Sequence, residues 1–294
     1  MILRIGNILV SRRTKLGDFH MKEGKMVDDA MHSNRSPLGR LLGAITSRAT
    51  VRGGSGSSQR SYVLVHGAWH GGWYWRRVSD LLGSAGHRVF APSLTGLGDR
   101  RHLLNWDTNL DTHIQDIIEL IEAEELRDVI LVGHSYGGIV ITGVAAKLPQ
   151  RLKQLVYLDA VLVEDGDSWS TVHSSDIVEA RHNAAQESSG GLSLPVPKST
   201  DLGVIDAYDQ AWVDRRVTPH PFATYEQKMN WSGPIGNGLP KVYVDSTEPA
   251  MPVLAAMKNK YRGKAEWPFI EIKTGHDAAV TAPNELSEIL LRFA

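Results

Sequence analysis

The chain has 294 residues, 42% of them hydrophobic and 22% charged, with 32 Lys and Arg against 33 Asp and Glu and a net charge of −1. That profile is globular, and nothing in the charge balance argues for nucleic acid or an anionic membrane surface as the main partner. There is no cysteine, so disulfides, a thiol nucleophile and thiolate metal sites are excluded. No apolar run reaches the roughly 18 residues that a membrane span needs.

Residues 1–60 differ in composition from the rest of the chain. They are basic, rich in Ser, Arg and Gly, and end in Gly53-Gly54-Ser55-Gly56-Ser57-Ser58. Such composition predicts a disordered N-terminal extension without a core of its own. Ser11-Arg12-Arg13 is not followed by an apolar signal core, and Met21, Met26 and Met31 offer alternative starts. A cytoplasmic location is therefore expected.

From Tyr62 onward, short apolar runs alternate with helical periodicity. Tyr62–Val65 reads as a buried strand that stops at His66-Gly67. Trp75, Val78, Leu81 and Leu82 recur at helical spacing, and Gly86 closes that helix. Val89-Phe90 is a strand, followed by the loop Ser93–Arg100, and Ile114, Ile117, Ile118 and Ile121 mark a second helical face. Val129–Val132 is a strand, Ile139–Leu148 a helix stopped by Pro149, and Leu155–Leu158 another strand. Alternation lapses between about residues 164 and 238, then resumes with strand Lys241–Val244, a helix near Val253–Tyr261, strand Phe269–Ile272 and a last helix from Asn284. The expected class is α/β: a mostly parallel sheet in residues 61–294, covered by helices on both faces, with a cap inserted at about 164–238.

The chemistry centres on Val129-Ile-Leu-Val-Gly133-His134-Ser135-Tyr136-Gly137-Gly138. Gly-x-Ser-x-Gly alone is a weak pattern, but here it sits between an apolar strand and an apolar helix. A turn that sharp strains the central serine and exposes its Oγ above the sheet. Ser135 is the expected nucleophile and needs a base. Of the downstream histidines, His173, His182 and His220 fall in the cap. His276, in Lys273-Thr-Gly-His-Asp277, follows a strand at the same sheet edge and is the expected base. For the acid, Glu248 on the loop after Lys241–Val244 is preferred for its reach, Asp245 is the first substitute, and Asp159 and Asp165 stay open. The expected oxyanion donors are the backbone N–H of Tyr136 and that of Ala68 in His66-Gly-Ala-Trp-His-Gly-Gly72.

These segments, with Leu155-Val-Tyr-Leu-Asp-Ala160, resemble the α/β-hydrolase superfamily over roughly residues 61–294. More narrowly they resemble the group of methylsalicylate esterases, hydroxynitrile lyases and bacterial pyrethroid-type carboxylesterases. The loops Thr95–Arg100 and Thr218–Phe222 look closest to bacterial esterases acting on pyrethroids and carbamate fungicides. The resemblance implies the α/β-hydrolase fold and an acid similar to Glu248. It also implies a lysine after the catalytic histidine in the lyases, where this chain has Asp277 and would repel cyanide.

The expected activity is therefore hydrolysis of carboxylic esters through an acyl-enzyme. Amide or carbamate hydrolysis by the same triad, a lyase and a small-molecule receptor are the rivals. No cofactor or metal is expected. The expected partner is a small apolar or aryl-bearing ester, with no nucleic acid and no membrane span, and a homodimer is compatible with the sequence.

Overall fold

The computed structural model describes residues 59–294. The expected N-terminal extension lies, up to residue 58, outside them. In chain order the elements are β1 (Ser61–Val65), α1 (Arg76–Ser84), β2 (Arg88–Phe90), α2 (Leu110–Ala123), β3 (Val129–His134), α3 (Gly137–Lys147) and β4 (Leu152–Leu158). An insertion comes next, with α4 (Ser175–Ser189), β5 (Ser193–Leu194), α5 (Ala207–Asp214), β6 (His220–Pro221) and α6 (Ala223–Glu226). The chain ends with β7 (Lys241–Ser246), α7 (Ala255–Tyr261), β8 (Phe269–Ile272), α8 (Ala278–Thr281) and α9 (Pro283–Leu291).

Six strands form one sheet in the order β2-β1-β3-β4-β7-β8, and every pairing is parallel. Parallel strands covered on both faces are apolar throughout, and all six residues of β3 are buried. Side chains alternate between the faces. Val63, Leu131, Leu155 and Tyr243 pack with α2 and α3. Leu64, Val132, Val156 and Val244 pack with α1 and α9. Local signals set the helix starts: the Asn109 side chain accepts from Thr112 N at 3.1 Å and caps α2, and Pro283 opens α9. Helix α3 is buried on nearly every side, which accounts for its uniformly apolar sequence.

The strand order creates the site. From β1 the chain moves to one side for β2, then returns to the other side for β3. The loops leaving β1 and β3 diverge there, and ligands of such sheets bind in the crevice at the carboxyl ends of the strands. The insertion between β4 and β7 covers that edge as the expected cap. It is fastened by Thr218 N donating to Trp69 O (2.8 Å) and Asp277 N donating to Leu202 O (3.3 Å). Among the described residues, no helix is long and apolar enough to cross a membrane.

Candidate active site

Ser135 lies between β3 and α3 with φ of 52°, in the left-handed region that non-glycine residues avoid. Sequence determines this turn. A Cβ on Gly133 would stand 2.5 Å from Gly137 O, and one on Gly137 would stand 2.7 Å from Val65 O. Ser135 N donates to Leu158 O (3.1 Å), while Ser135 O accepts from Gly138 N (3.0 Å) and Val161 N (2.9 Å). The turn is thereby locked to the end of β4.

His276 arrives on the loop after β8 and shares a cavity wall with Ser135. Its Nδ1 lies 2.6 Å from Asp159 Oδ2. Nδ1–H donates to that carboxylate, so Nε2 keeps its lone pair. His134, beside the serine in sequence, donates from Nε2 to His276 O at 3.0 Å, and the two rings pack at 4.6 Å between centroids. Burial, followed by the neighbouring His276 and His70, holds His134 well below the usual imidazole range.

The carboxylate that meets His276 is that of Asp159, not that of the preferred Glu248. Asp159 is fully buried, immediately follows β4, and is fixed by its N–H donating to Val244 O (2.8 Å) on the neighbouring strand. Its other oxygen pairs with Lys258 Nζ, which also pairs with Asp245 Oδ1 at 2.7 Å. Asp245 pairs in turn with Arg262, which reaches Glu271 at 3.1 Å. Glu248 points away from this network. Strand β7 runs on through Ser246, and Glu248 N then donates to Thr274 O (3.0 Å), which lays Glu248 along the outside of the His276 loop. Its side chain is 64% exposed, with Lys273 Nζ at 3.8 Å. Asp245 serves Lys258 and Arg262 rather than the imidazole. Asp165 accepts from Trp231 N at 2.8 Å within the cap.

The loop after β1 brings Ala68 to the serine. Gly67 has to be small, since a Cβ there would meet Ser135 Cβ at 2.9 Å and His134 Nδ1 at 2.8 Å. Among the described residues, the backbone N–H groups of Ala68 and Tyr136 have no intramolecular acceptor. The loop is held from inside. His66 Nδ1 donates to Gly67 O (2.8 Å) while His66 Nε2 accepts from Leu94 N (3.0 Å). Burial lowers the His66 pKa to about 3, against the opposing pull of the Gly67 carbonyl, so the ring is neutral. His70 Nδ1 donates to Ala68 O (2.7 Å) and its Nε2 meets Asp277 Oδ2 (3.1 Å). Burial alone would lower His70, but the Asp277 charge and hydrogen bond and the Ala68 carbonyl raise it above the ordinary value.

That pair changes the part assigned to Asp277. Its carboxylate is fully buried against His70 and does not line the cavity, so its charge is met within the protein rather than presented to a ligand beside Ser135. Asp277 instead braces the Ala68 loop. His173 lines the cavity but accepts from the Tyr225 hydroxyl at 3.0 Å. His182 pairs with Glu226, and His220 with Thr224. The cavity holds about 170 Å³ and is walled largely by Trp69, Trp169, Val161, Leu202 and Leu254, with Arg181 as its cation.

The fold and this strand-end constellation define a hydrolase class. The chain belongs to the Alpha/beta hydrolase family, which it matches over residues 62–289. It is 42% identical over 240 residues to a carbendazim hydrolyzing esterase of Nocardioides sp. (strain SG-4G), covering 78% of this chain and 98% of that protein. Two solved structures share the fold. An extracellular alpha/beta-hydrolase from a Paenibacillus species superposes with TM-score 0.70 at 24% identity, over 80% of this chain and 99% of the other. A pyrethroid hydrolase from Sphingobium faniae JZ-2 superposes with TM-score 0.58 at 21% identity, over 80% and 97%.

Proposed function

We propose that this protein is a serine esterase that cleaves small carboxylic esters through an acyl-enzyme on Ser135. The observation that carries the reading is the buried 2.6 Å contact of His276 Nδ1 with Asp159, beside a serine held at φ 52°. Ser135 Oγ attacks the ester carbonyl while His276 Nε2 takes its proton. Charge developing on the carbonyl oxygen is met by the N–H groups of Ala68 and Tyr136. His276 returns the proton to the departing alcohol, then takes one from water as the water oxygen attacks the acyl carbon. The acid is released and Ser135 regains its proton. Asp159 keeps His276 in the Nδ1–H tautomer and stabilises the imidazolium.

The similarity to a carbendazim hydrolyzing esterase supports including carbendazim, beside aryl and alkyl esters, in the first substrate panel. The apolar wall of the cavity supports an apolar or aryl-bearing substrate. The test is hydrolysis of 4-nitrophenyl butyrate by the wild type, Ser135→Ala and His276→Ala. Both variants are expected to lose at least about 10³-fold in kcat/KM, and near wild-type turnover by Ser135→Ala would refute the reading.

A further inference from the structure

Ester hydrolysis at Ser135 makes no use of the cation on the cavity wall. Arg181 projects from α4 in the cap, and its guanidinium carbon lies 4.9 Å from the ring centroid of Trp169, 5.0 Å from that of Tyr225 and 5.8 Å from that of Trp69. Its Nη1 is buried without a hydrogen-bond partner. Among the described residues no carboxylate lies within ion-pair distance of it. Asp201, on the same wall, is exposed and does not pair with it.

An arginine in such a position is unusual. A guanidinium cannot shed its charge, and when taken from water it normally faces a carboxylate or phosphate in a fork of two hydrogen bonds. Here three rings lie against the planar head and enclose its Nη1, while the residue, partly exposed, lines the cavity that also contains Ser135 and His276. Burial lowers its affinity for its proton, in the same sense as a cation still lacking its counter-ion. Every other buried charge near the site is matched within the protein: Asp159 by His276 and Lys258, Asp245 by Lys258 and Arg262, Asp277 by His70.

We propose that Arg181 binds a carboxylate carried by the substrate at the end remote from the scissile bond, so that the favoured substrates are monoanionic esters such as half-esters of dicarboxylic acids. This rests on the esterase reading and specifies its substrate class. The apolar stretch between the two ends lies against Trp69 and Trp169, while Arg181 fixes the far end and sets how deep the ester carbonyl sits.

Three 4-nitrophenyl esters of equal chain length test this: the hexanoate, the neutral 5-oxohexanoate and the monoanionic adipate. The wild type is expected to favour the adipate over the hexanoate in kcat/KM. Arg181→Met is expected to lose at least 10-fold on the adipate, mainly through KM, while its hexanoate activity stays within about threefold and so reports an intact fold. Arg181→Lys is expected to recover part of the loss. An adipate-to-hexanoate ratio unchanged by Arg181→Met would overturn the proposal. So would a larger Arg181-dependent gain on the keto ester than on the adipate. Calorimetric titration of monomethyl adipate into Ser135→Ala, with and without Arg181→Met, separates this from the esterase reading. Weaker binding without Arg181 supports the proposal even if no ester is turned over, and equal binding overturns it.

Discussion

Replacing Asp159 by Asn tests the part of the site that the sequence and the structure assign differently. The Asp159 carboxylate receives the His276 Nδ1 proton at 2.6 Å in a fully buried setting. An amide of the same shape removes the charge that stabilises the imidazolium, and it can present N–H to Nδ1 and so favour the wrong tautomer. Loss of a triad carboxylate costs about 10³- to 10⁴-fold in kcat, or roughly 4–5.5 kcal/mol of transition-state stabilisation. Glu248→Gln is the matched control. Its side chain is mostly exposed and meets only Lys273 at 3.8 Å, an interaction worth about 0–1 kcal/mol, so activity should stay within about twofold. The assay is kcat on a soluble 4-nitrophenyl ester, with thermal unfolding of each variant to separate lost chemistry from lost fold. A greater fall in Glu248→Gln than in Asp159→Asn would refute the assignment.

Two further outcomes are expected of the same network and its surroundings. Lys258→Met removes the buried cation between Asp159 and Asp245 and should cost about 3–5 kcal/mol of stability. Urea unfolding of the variant reads that loss, and an unchanged midpoint would contradict it. In acid, His66 and His113, lowered by burial to about 3 and about 4, stay neutral in the folded chain while the unfolded chain takes up protons below about 6.5. Each should then remove about 2 kcal/mol of stability by pH 5, with the loss beginning near 6.5 and continuing towards 4. Urea unfolding at pH 7 and pH 5 reads this directly, and equal midpoints would contradict it.

The strands were legible because a parallel sheet buries both faces of each strand, so β1, β3, β4 and β7 stand out as apolar runs. Ser135 and His276 could be located because both follow strands at one edge of that sheet. The acid could not be chosen in the same way. Asp159, Asp245 and Glu248 all lie at or beyond strand ends, and which of them meets the imidazole depends on side-chain direction. That direction is set by contacts distant in sequence, such as Asp159 N with Val244 O and Glu248 N with Thr274 O. The cap helices escaped notice for a different reason. Helix α4 buries only Ala185, so it carries almost no hydrophobic period. The pairing of Asp277 with His70 belongs to the same class, since the two are 207 residues apart.

The most direct test of the central claim is covalent capture of the nucleophile. The protein is treated with diethyl 4-nitrophenyl phosphate, whose phosphoryl group is transferred to an activated serine with loss of 4-nitrophenolate, and the adduct is mapped by peptide mass spectrometry. One diethylphosphoryl group on Ser135, blocked by prior substrate, absent in Ser135→Ala and formed far more slowly in His276→Ala, is the predicted result. Labelling at another residue, with ester hydrolysis persisting in Ser135→Ala, would contradict it.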